Sequence, residues 1–275
     1  DIDEPTLPFG LHTVQAGGTL ELARLPVEEG LGQRLRSAAR QLGVSAASLM
    51  HVAWAQVLAH VCGQDDVVFG TVLMGGMQGG ERALGLFINT LPLRISVGAE
   101  GAQAGVKATH ARLSTLLSHE HASLALAQRC SGVAAPAPLF SALLNYRHSA
   151  ANASSEDMAV WSGIQALGGE ERSNYPLSLD IDDFGQAFAL TVQVSPDVGA
   201  QRVCAYMHAA LDSLVDALER TPQASLSSLE VLPLSERRQV LLDFNQTRTS
   251  DPQDQLIHEL FEQQVLRNPD AVALE

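Results

Sequence analysis

The sequence predicts an α/β protein: an open two-layer sandwich on a mixed, largely antiparallel sheet. Three observations predict it. Segments of helical and of strand periodicity alternate irregularly along most of the chain. The best-defined strand pair is antiparallel. No Gly-x-Gly-x-x-Gly fingerprint follows the first strand, which argues against a doubly wound dinucleotide fold.

The elements follow in order. Residues 1–25 read as a connector and a polar edge strand, and Pro26 is placed to open a helix at its first turn, where a missing N–H costs nothing. Leu31, Leu35, Ala38, Ala39 and Leu42 recur at helical spacing, and Gly43 ends the run as a left-handed cap. Ser45 then caps a second helix, Ala46 to about Cys62, which is apolar almost all round and must be covered on most sides. His51 and His60 on it read as ordinary core or boundary histidines. Val67–Leu73 is a buried strand, followed by a glycine-rich loop, Gly75-Gly76-Met77-Gln78-Gly79-Gly80. Leu86–Ile95 is a second strand, interrupted by Pro92. Residues 102–118 form an alanine-rich helix, His119–Cys130 a polar turn and short helix, Leu139–Tyr146 a strand, and 149–160 a loop of small residues.

Leu177, Leu179 and Ile181 alternate with Ser178, Asp180 and Asp182, and Phe188, Leu190, Val192 and Val194 alternate in the same way about an Asp183-Phe184-Gly185-Gln186 turn. This predicts a half-buried antiparallel hairpin. Pro196 is placed to start a long helix that ends at Thr221-Pro222. Beyond it, Leu234–Phe244 and Leu256–Leu266 read as amphipathic helices joined by a polar connector, Asn245–Asp254, as in an interdomain linker. The start, which lacks an initiator Met, and the apolar finish, Ala271-Val272-Ala273-Leu274, read as cut ends of a longer chain.

Composition excludes several classes. Hydrophobic residues make up 46% of the 275 and charged residues 17%, which suits a packed globular protein. A net charge of −14, a single lysine (Lys107) and no basic run argue against nucleic acid, whose phosphates need clustered Lys and Arg. No apolar run is long enough to span a membrane. The N-terminus has no signal-peptide pattern, and Cys62, Cys130 and Cys204 are spaced neither as metal ligands nor as a disulfide set. A cytoplasmic setting is expected, in which Asn152-Ala153-Ser154 goes unglycosylated.

No catalytic constellation is complete. The glycine loop follows a strand but lacks the Gly-Lys-Ser/Thr ending of a phosphate loop, and reads as a loop bordering a channel. His119-Glu120-His121 offers two metal ligands at best where catalytic zinc needs three, so no metal is expected. There is no Gly-x-Ser-x-Gly elbow and no His-His pair. Asp182-Asp183 reads as a pair of solvated turn carboxylates. Asn145 stands apart, an amide in an apolar strand, Leu143-Leu144-Asn145-Tyr146. A buried amide needs partners. Two readings stay open: a structural hydrogen bond at a strand end, or a polar group facing a substrate channel.

Leu84-Gly85-Leu86-Phe87-Ile88-Asn89-Thr90-Leu91-Pro92-Leu93-Arg94 resembles the Gly-x-Phe-Val/Ile-Asn-Thr core, ending in Arg, of condensation domains of nonribosomal peptide synthetases. Gln64–Thr71, Pro138–Tyr146 and Asn174-Tyr175-Pro176-Leu177 are similar to neighbouring family segments. His119–Leu124 is similar to a degraded His-Gln-Asp-x-Pro-Phe. Ile257-His258-Glu259-Leu260-Phe261 through Leu274 looks like the opening of an adenylation domain.

The resemblance implies a chloramphenicol acetyltransferase-like half-domain and an amide-forming acyl transfer between carrier-bound thioesters. The family signature His-His-x-x-x-Asp-Gly is absent, so no catalytic residue is assigned in this chain. It resembles the C-terminal half: 1–222 the subdomain, 223–254 a linker, 255–275 the start of an adenylation domain. The implied partners are peptidyl carrier domains, the N-terminal condensation half and the adenylation domain. No cofactor is bound directly; the phosphopantetheine arm belongs to the carriers. Asn145, Asn89, Gly75 and Gly76 are the expected tunnel-facing positions, and Arg94 is expected to be structural. Gly75-Gly76 departs from the family's usual Gly-Arg, leaving open an altered site or a silent change. The Met77–Gly80 and Leu144–Ser149 strings resemble the subgroup that both epimerises and condenses. An epimerisation-domain fragment and a non-catalytic carrier-docking module are the alternatives.

Overall fold

The computed structural model describes residues 2–13, 19–74, 88–148, 173–247 and 256–272. The glycine loop with Gly75 and Gly76, the 149–160 loop and most of the connector before residue 256 lie outside the described residues. Two compact units are present, Asp1–Pro233 and Leu234–Glu275.

The first unit is built on a six-stranded sheet: β1 (Glu21–Val27), β2 (Asp66–Met74), β3 (Ile88–Ser96), β4 (Ala142–His148), β5 (Leu177–Asp183) and β6 (Phe188–Val194). The spatial order is β1-β6-β5-β4-β2-β3. The pairs β1/β6, β5/β6 and β2/β3 are antiparallel, while β4 runs parallel to both β5 and β2. The sheet is therefore mixed and largely antiparallel, as the sequence predicts. The helices that pack on it are α1 (Glu29–Leu42), α2 (Ala46–Cys62), α3 (Ala102–Leu117) and α5 (Ala200–Arg220); a short α4 (Leu124–Arg129) follows α3.

Helix α2 has no wet side: every residue from Ser48 to Ala59 is buried. Its left-handed cap is Gly63, φ 66°, and that of α1 is Gly43, φ 67°, a conformation that glycine adopts without a Cβ penalty. Ser45 stands at the N-cap of α2, but its hydroxyl meets the Ser48 hydroxyl at 2.9 Å instead of a backbone N–H.

Prolines correct two boundaries. Pro26 lies inside β1, paired with Ala189, and α1 begins at Glu29. An edge strand tolerates proline because the missing N–H faces outward. Pro92 occupies the opposite edge in the same way: β3 runs through it unbroken, paired with Gly70 on β2. Beside it Arg112 Nη1 donates to the Arg94 carbonyl at 3.2 Å. Helix α5 starts at Ala200, not at Pro196, because Ser195–Gly199 form a turn with Gly199 at φ 85°.

The β5/β6 hairpin is not half-buried. Every residue of β5 is buried and all but one of β6. These strands lie inside the sheet, and the face away from the helices is closed as well. Near β2 and β4 a second small cluster forms there, with Val68, Val133, Leu139 and Phe140 at its centre. Residue 70 must be glycine for this cluster to close: a Cβ would stand 2.6 Å from the Phe140 ring and 2.9 Å from Leu143. The N-terminal strap docks alongside, with Thr6 N–H on the Leu139 carbonyl at 3.1 Å and Thr6 Oγ1 accepting from Val68 N–H at 2.8 Å.

The first unit reaches Pro233, beyond the boundary expected at 222, because Leu226, Leu229 and Val231 are buried in the main core. Gln56 of α2 donates to the Leu226 carbonyl at 3.1 Å. The second unit holds α6 (Leu234–Leu241) and α7 (Ile257–Arg267), neither with a buried residue. Glu259 takes the Leu256 backbone N–H at the start of α7, 2.9 Å. No single helix among the described residues is long and apolar enough to cross a membrane.

Leu226→Ala should lower the unfolding free energy by about 2–5 kcal/mol, the cost of a cavity under a fully buried leucine. Urea denaturation checks it; an unchanged midpoint would place residues 223–233 outside the folded unit.

Candidate functional site

Side chains alternate along a strand, so the residues between the core leucines project from the face opposite α1, α2, α3 and α5. Strand register lines them up across the sheet. Asn145, Asp180, Thr191 and Arg24 form one row; Arg147, Asp182, Ala189 and Pro26 form the next. Asn145 Nδ2 donates to Asp180 Oδ1 at 2.8 Å, and Arg147 Nε to Asp182 Oδ1 at 2.9 Å. Arg147 Nη1 lies 3.9 Å from Asp180 Oδ1, and Arg24 Nη2 lies 3.7 Å from Asp182 Oδ2. Asp180 is 8% exposed and Asp182 9%. The Ser178 hydroxyl beside them is buried and has no partner among the described residues. These rows hold amide, hydroxyl, carboxylate and guanidinium groups and no histidine, so they are equipped to bind and orient.

The solvated-carboxylate reading of Asp182-Asp183 is thus overturned for both. Asp183 points to the other side of β5 and is 3% exposed. Arg36 of α1 donates to it through Nη2 at 2.5 Å and Nη1 at 3.3 Å, the Tyr146 hydroxyl donates at 2.5 Å and the Gly185 N–H at 2.9 Å. His148 Nδ1 is 3.4 Å away. Burial pushes this carboxyl up, but Arg36 first, then the phenol and the turn N–H, outweigh it and hold it at about 2. Burial and the adjacent carboxylate drive the Tyr146 phenol the other way, far above its ordinary value. The Arg36 guanidinium lies 4.0 Å over the Phe188 ring. A signal for this cluster existed in the sequence: Tyr146 and Asp183 keep the core phase of their strands, Leu144–Tyr146 and Ile181–Asp183.

The other predicted positions are dispersed. Asn89, paired with Leu73, braces the following turn: Nδ2 donates to the carbonyls of Glu120 at 2.6 Å and Ala122 at 2.8 Å, and Oδ1 accepts from Thr90 N–H at 2.9 Å. Arg94 Nη2 pairs with Asp66 at 3.1 Å across β2 and β3. Asn145 lies on the far side of the sheet from Asn89, and the structure does not bring the two together. Gly75 and Gly76 are outside the described residues. His51 is buried, its Nδ1 donating to the Ala47 carbonyl at 2.7 Å and its Nε2 accepting from Thr71 Oγ1 at 2.8 Å. Burial lowers its pKa to about 4, so it stays neutral. Among the described residues no three His, Cys, Asp or Glu side chains gather as a metal site.

Comparison with known proteins places this geometry. The family model described as "Condensation domain" matches residues 15–241. Malpibaldin synthetase of Mortierella alpina is 48% identical over 290 residues, covering 100% of this chain and 5% of its own. Malpinin synthetase of the same organism is 48% identical over 278 residues, covering 100% and 4%. The chain therefore spans about one-twentieth of the length of these two relatives. In fold it is similar to the condensation domain from Monacolin K polyketide synthase MokA, with a TM-score of 0.60 and 20% identity over 82% of this chain and 51% of that one.

The Asp183 cluster makes a pH prediction. Its folded pKa lies below the ordinary carboxylate value, so its stabilisation is present above about pH 4 and is lost as pH falls toward 2. Thermal unfolding of wild type and Asp183→Asn between pH 6 and pH 2 should show a gap that is widest near neutrality and closes across that window. A gap independent of pH would contradict the assignment.

Proposed function

The chain belongs to the condensation-domain family, and from that premise we propose that it is the C-terminal half of such a domain in a cytoplasmic nonribosomal peptide synthetase. Residues from Leu234 onward are then the link to, and the opening of, an adenylation domain. The observation that carries this reading is a pairing of two facts. The fold corresponds to about half of a solved condensation domain, and the sequence lacks the His-His-x-x-x-Asp-Gly motif. Half a fold without the histidines reads as one wall of a tunnel whose base stands on the other wall.

The reaction is amide formation between carrier-bound thioesters. The amine of the downstream aminoacyl group attacks the upstream thioester carbonyl; a C–N bond forms, the C–S bond breaks, the arm's sulfur leaves as thiol and the amine gives up a proton. This chain contributes no base. Its share is orientation, which in a bimolecular step is a large part of the barrier. Asn145, half-buried in the polar rows of the face opposite α1, α2, α3 and α5, is the residue best suited to hold a substrate polar group. The phosphopantetheine arm arrives as part of the carrier-bound substrate. Asn89 and Arg94 act by shaping the β3 edge, given their bonds to the 120–122 turn and to Asp66.

Donor- and acceptor-loaded carriers incubated with the isolated chain should give no amide by mass spectrometry, whereas the intact synthetase should. Turnover by the isolated chain would refute the reading. In the intact synthetase Asn145→Ala should lower amide formation roughly three- to tenfold, the effect of one hydrogen bond between neutral groups. An unchanged rate would remove Asn145 from the tunnel.

A further inference from the structure

Asn145 and Asp180 are register partners on β4 and β5, on the sheet face opposite α1, α2, α3 and α5. A carboxylate in this pair accepts, so the 2.8 Å contact is made by the amide nitrogen. The amide is planar, and fixing its nitrogen fixes its oxygen. That oxygen has no hydrogen-bond partner among the described residues. Asp180 is itself confined: it is 8% exposed, with Arg147 Nη1 3.9 Å away, and Arg147 is tied to Asp182 at 2.9 Å. The pair is thus oriented from behind by an ionic row of two buried carboxylates and a half-buried guanidinium.

We infer that Asp180 is a positioning residue which holds the Asn145 amide so that its carbonyl oxygen is the end offered to the substrate, and that the group received there carries an N–H. The inference rests on the reading of Asn145 as tunnel-facing. Without the carboxylate, the amide turns freely about its last torsion and offers NH2 or oxygen indifferently. A terminal sp3–sp2 torsion is broad and has little preference of its own. Three N–H sources exist on the carrier-bound substrates: the attacking amine, the α-nitrogen of the upstream acyl group and the amides of the arm.

The test uses four variants of the intact synthetase: Asn145→Ala, Asp180→Ala, Asn145→Asp and Asn145→Asp/Asp180→Asn. Asp180→Ala, which leaves the Asn145 amide without its acceptor, should reduce kcat/KM about as much as Asn145→Ala. Asn145→Asp should be worse than either, because two carboxylates then face each other. The double variant should recover most of the activity: the new amide at 180 donates to the new carboxylate at 145, whose second oxygen replaces the lost acceptor. Three competitive inhibitors identify the N–H: an acceptor aminoacyl-arm mimic with methyl in place of the amine, a donor acyl-arm mimic with methyl in place of its α-nitrogen, and one with an ester in place of an arm amide. The inhibition constant of Asn145→Ala relative to wild type should fall to about one for the mimic lacking the recognised N–H. A ratio that stays raised with all three mimics overturns the N–H assignment. Asp180→Ala at wild-type rate, or a double variant no better than Asn145→Asp, overturns the positioning role. A silent Asn145→Ala instead sinks the tunnel reading itself, so the two failures are separable.

Discussion

A helix with no solvent face dictates much of this molecule. From Ser48 to Ala59, α2 buries every side chain, so each direction around it must be occupied by another element. α1, α3, α5 and the strands β2, β3 and β4 supply the cover. Three of its polar side chains find partners inside. Ser48 meets His110 of α3 at 3.0 Å, His51 meets Thr71 of β2, and the Gln56 Nε2 meets the Leu226 carbonyl. The tail beyond α5 folds back over the helix, with Leu226, Leu229 and Val231 buried in the same core, and the unit does not end where its last long helix ends.

The sheet below α2 carries a second demand. Its two central strands are β4 and β5; β5 is buried throughout and β4 half-buried toward its end, yet they bear Asn145, Arg147, Asp180, Asp182 and Asp183. Buried charges survive only when paired and hydrogen-bonded. On one face Arg147 and Arg24 answer Asp180 and Asp182; on the other Arg36 and Tyr146 answer Asp183. Arg36 comes from α1, so the position of that helix on the sheet is tied to the end of β5. Removing one partner would leave the other charged and dry, which ties the ends of β4 and β5 to one arrangement.

Much of this was legible in the sequence. Period-3.6 stretches located α1, α2 and α5 within a few residues, and Gly43 marked a real left-handed cap. Strand alternation located the β5/β6 hairpin and its turn. What periodicity cannot state is whether a polar phase faces water. Ser178, Asp180 and Asp182 look like a wet face because nothing local reveals Arg147 or Arg24, which arrive from other strands. Pro26 and Pro196 misled for a related reason: proline starts helices and also ends edge strands and shapes turns, and only sheet position separates these. At the candidate site, Asn145 was legible as an oddity within an apolar strand. Its partner was not, since pairing across parallel strands depends on register set by tertiary packing.

The prolines on the two outer strands have a further meaning. Pro26 sits on β1 and Pro92 on β3, and these are the two rims of the sheet. At the β3 rim Arg112 additionally caps the Arg94 carbonyl. Each rim thus lacks a donor where a foreign strand would need one. Within polypeptides as long as the related synthetases, neighbouring domains are tethered at high effective concentration and would have ample opportunity to zip together. A sheet with one donor missing on each margin is a poorer template for such zipping than an unbroken edge would be.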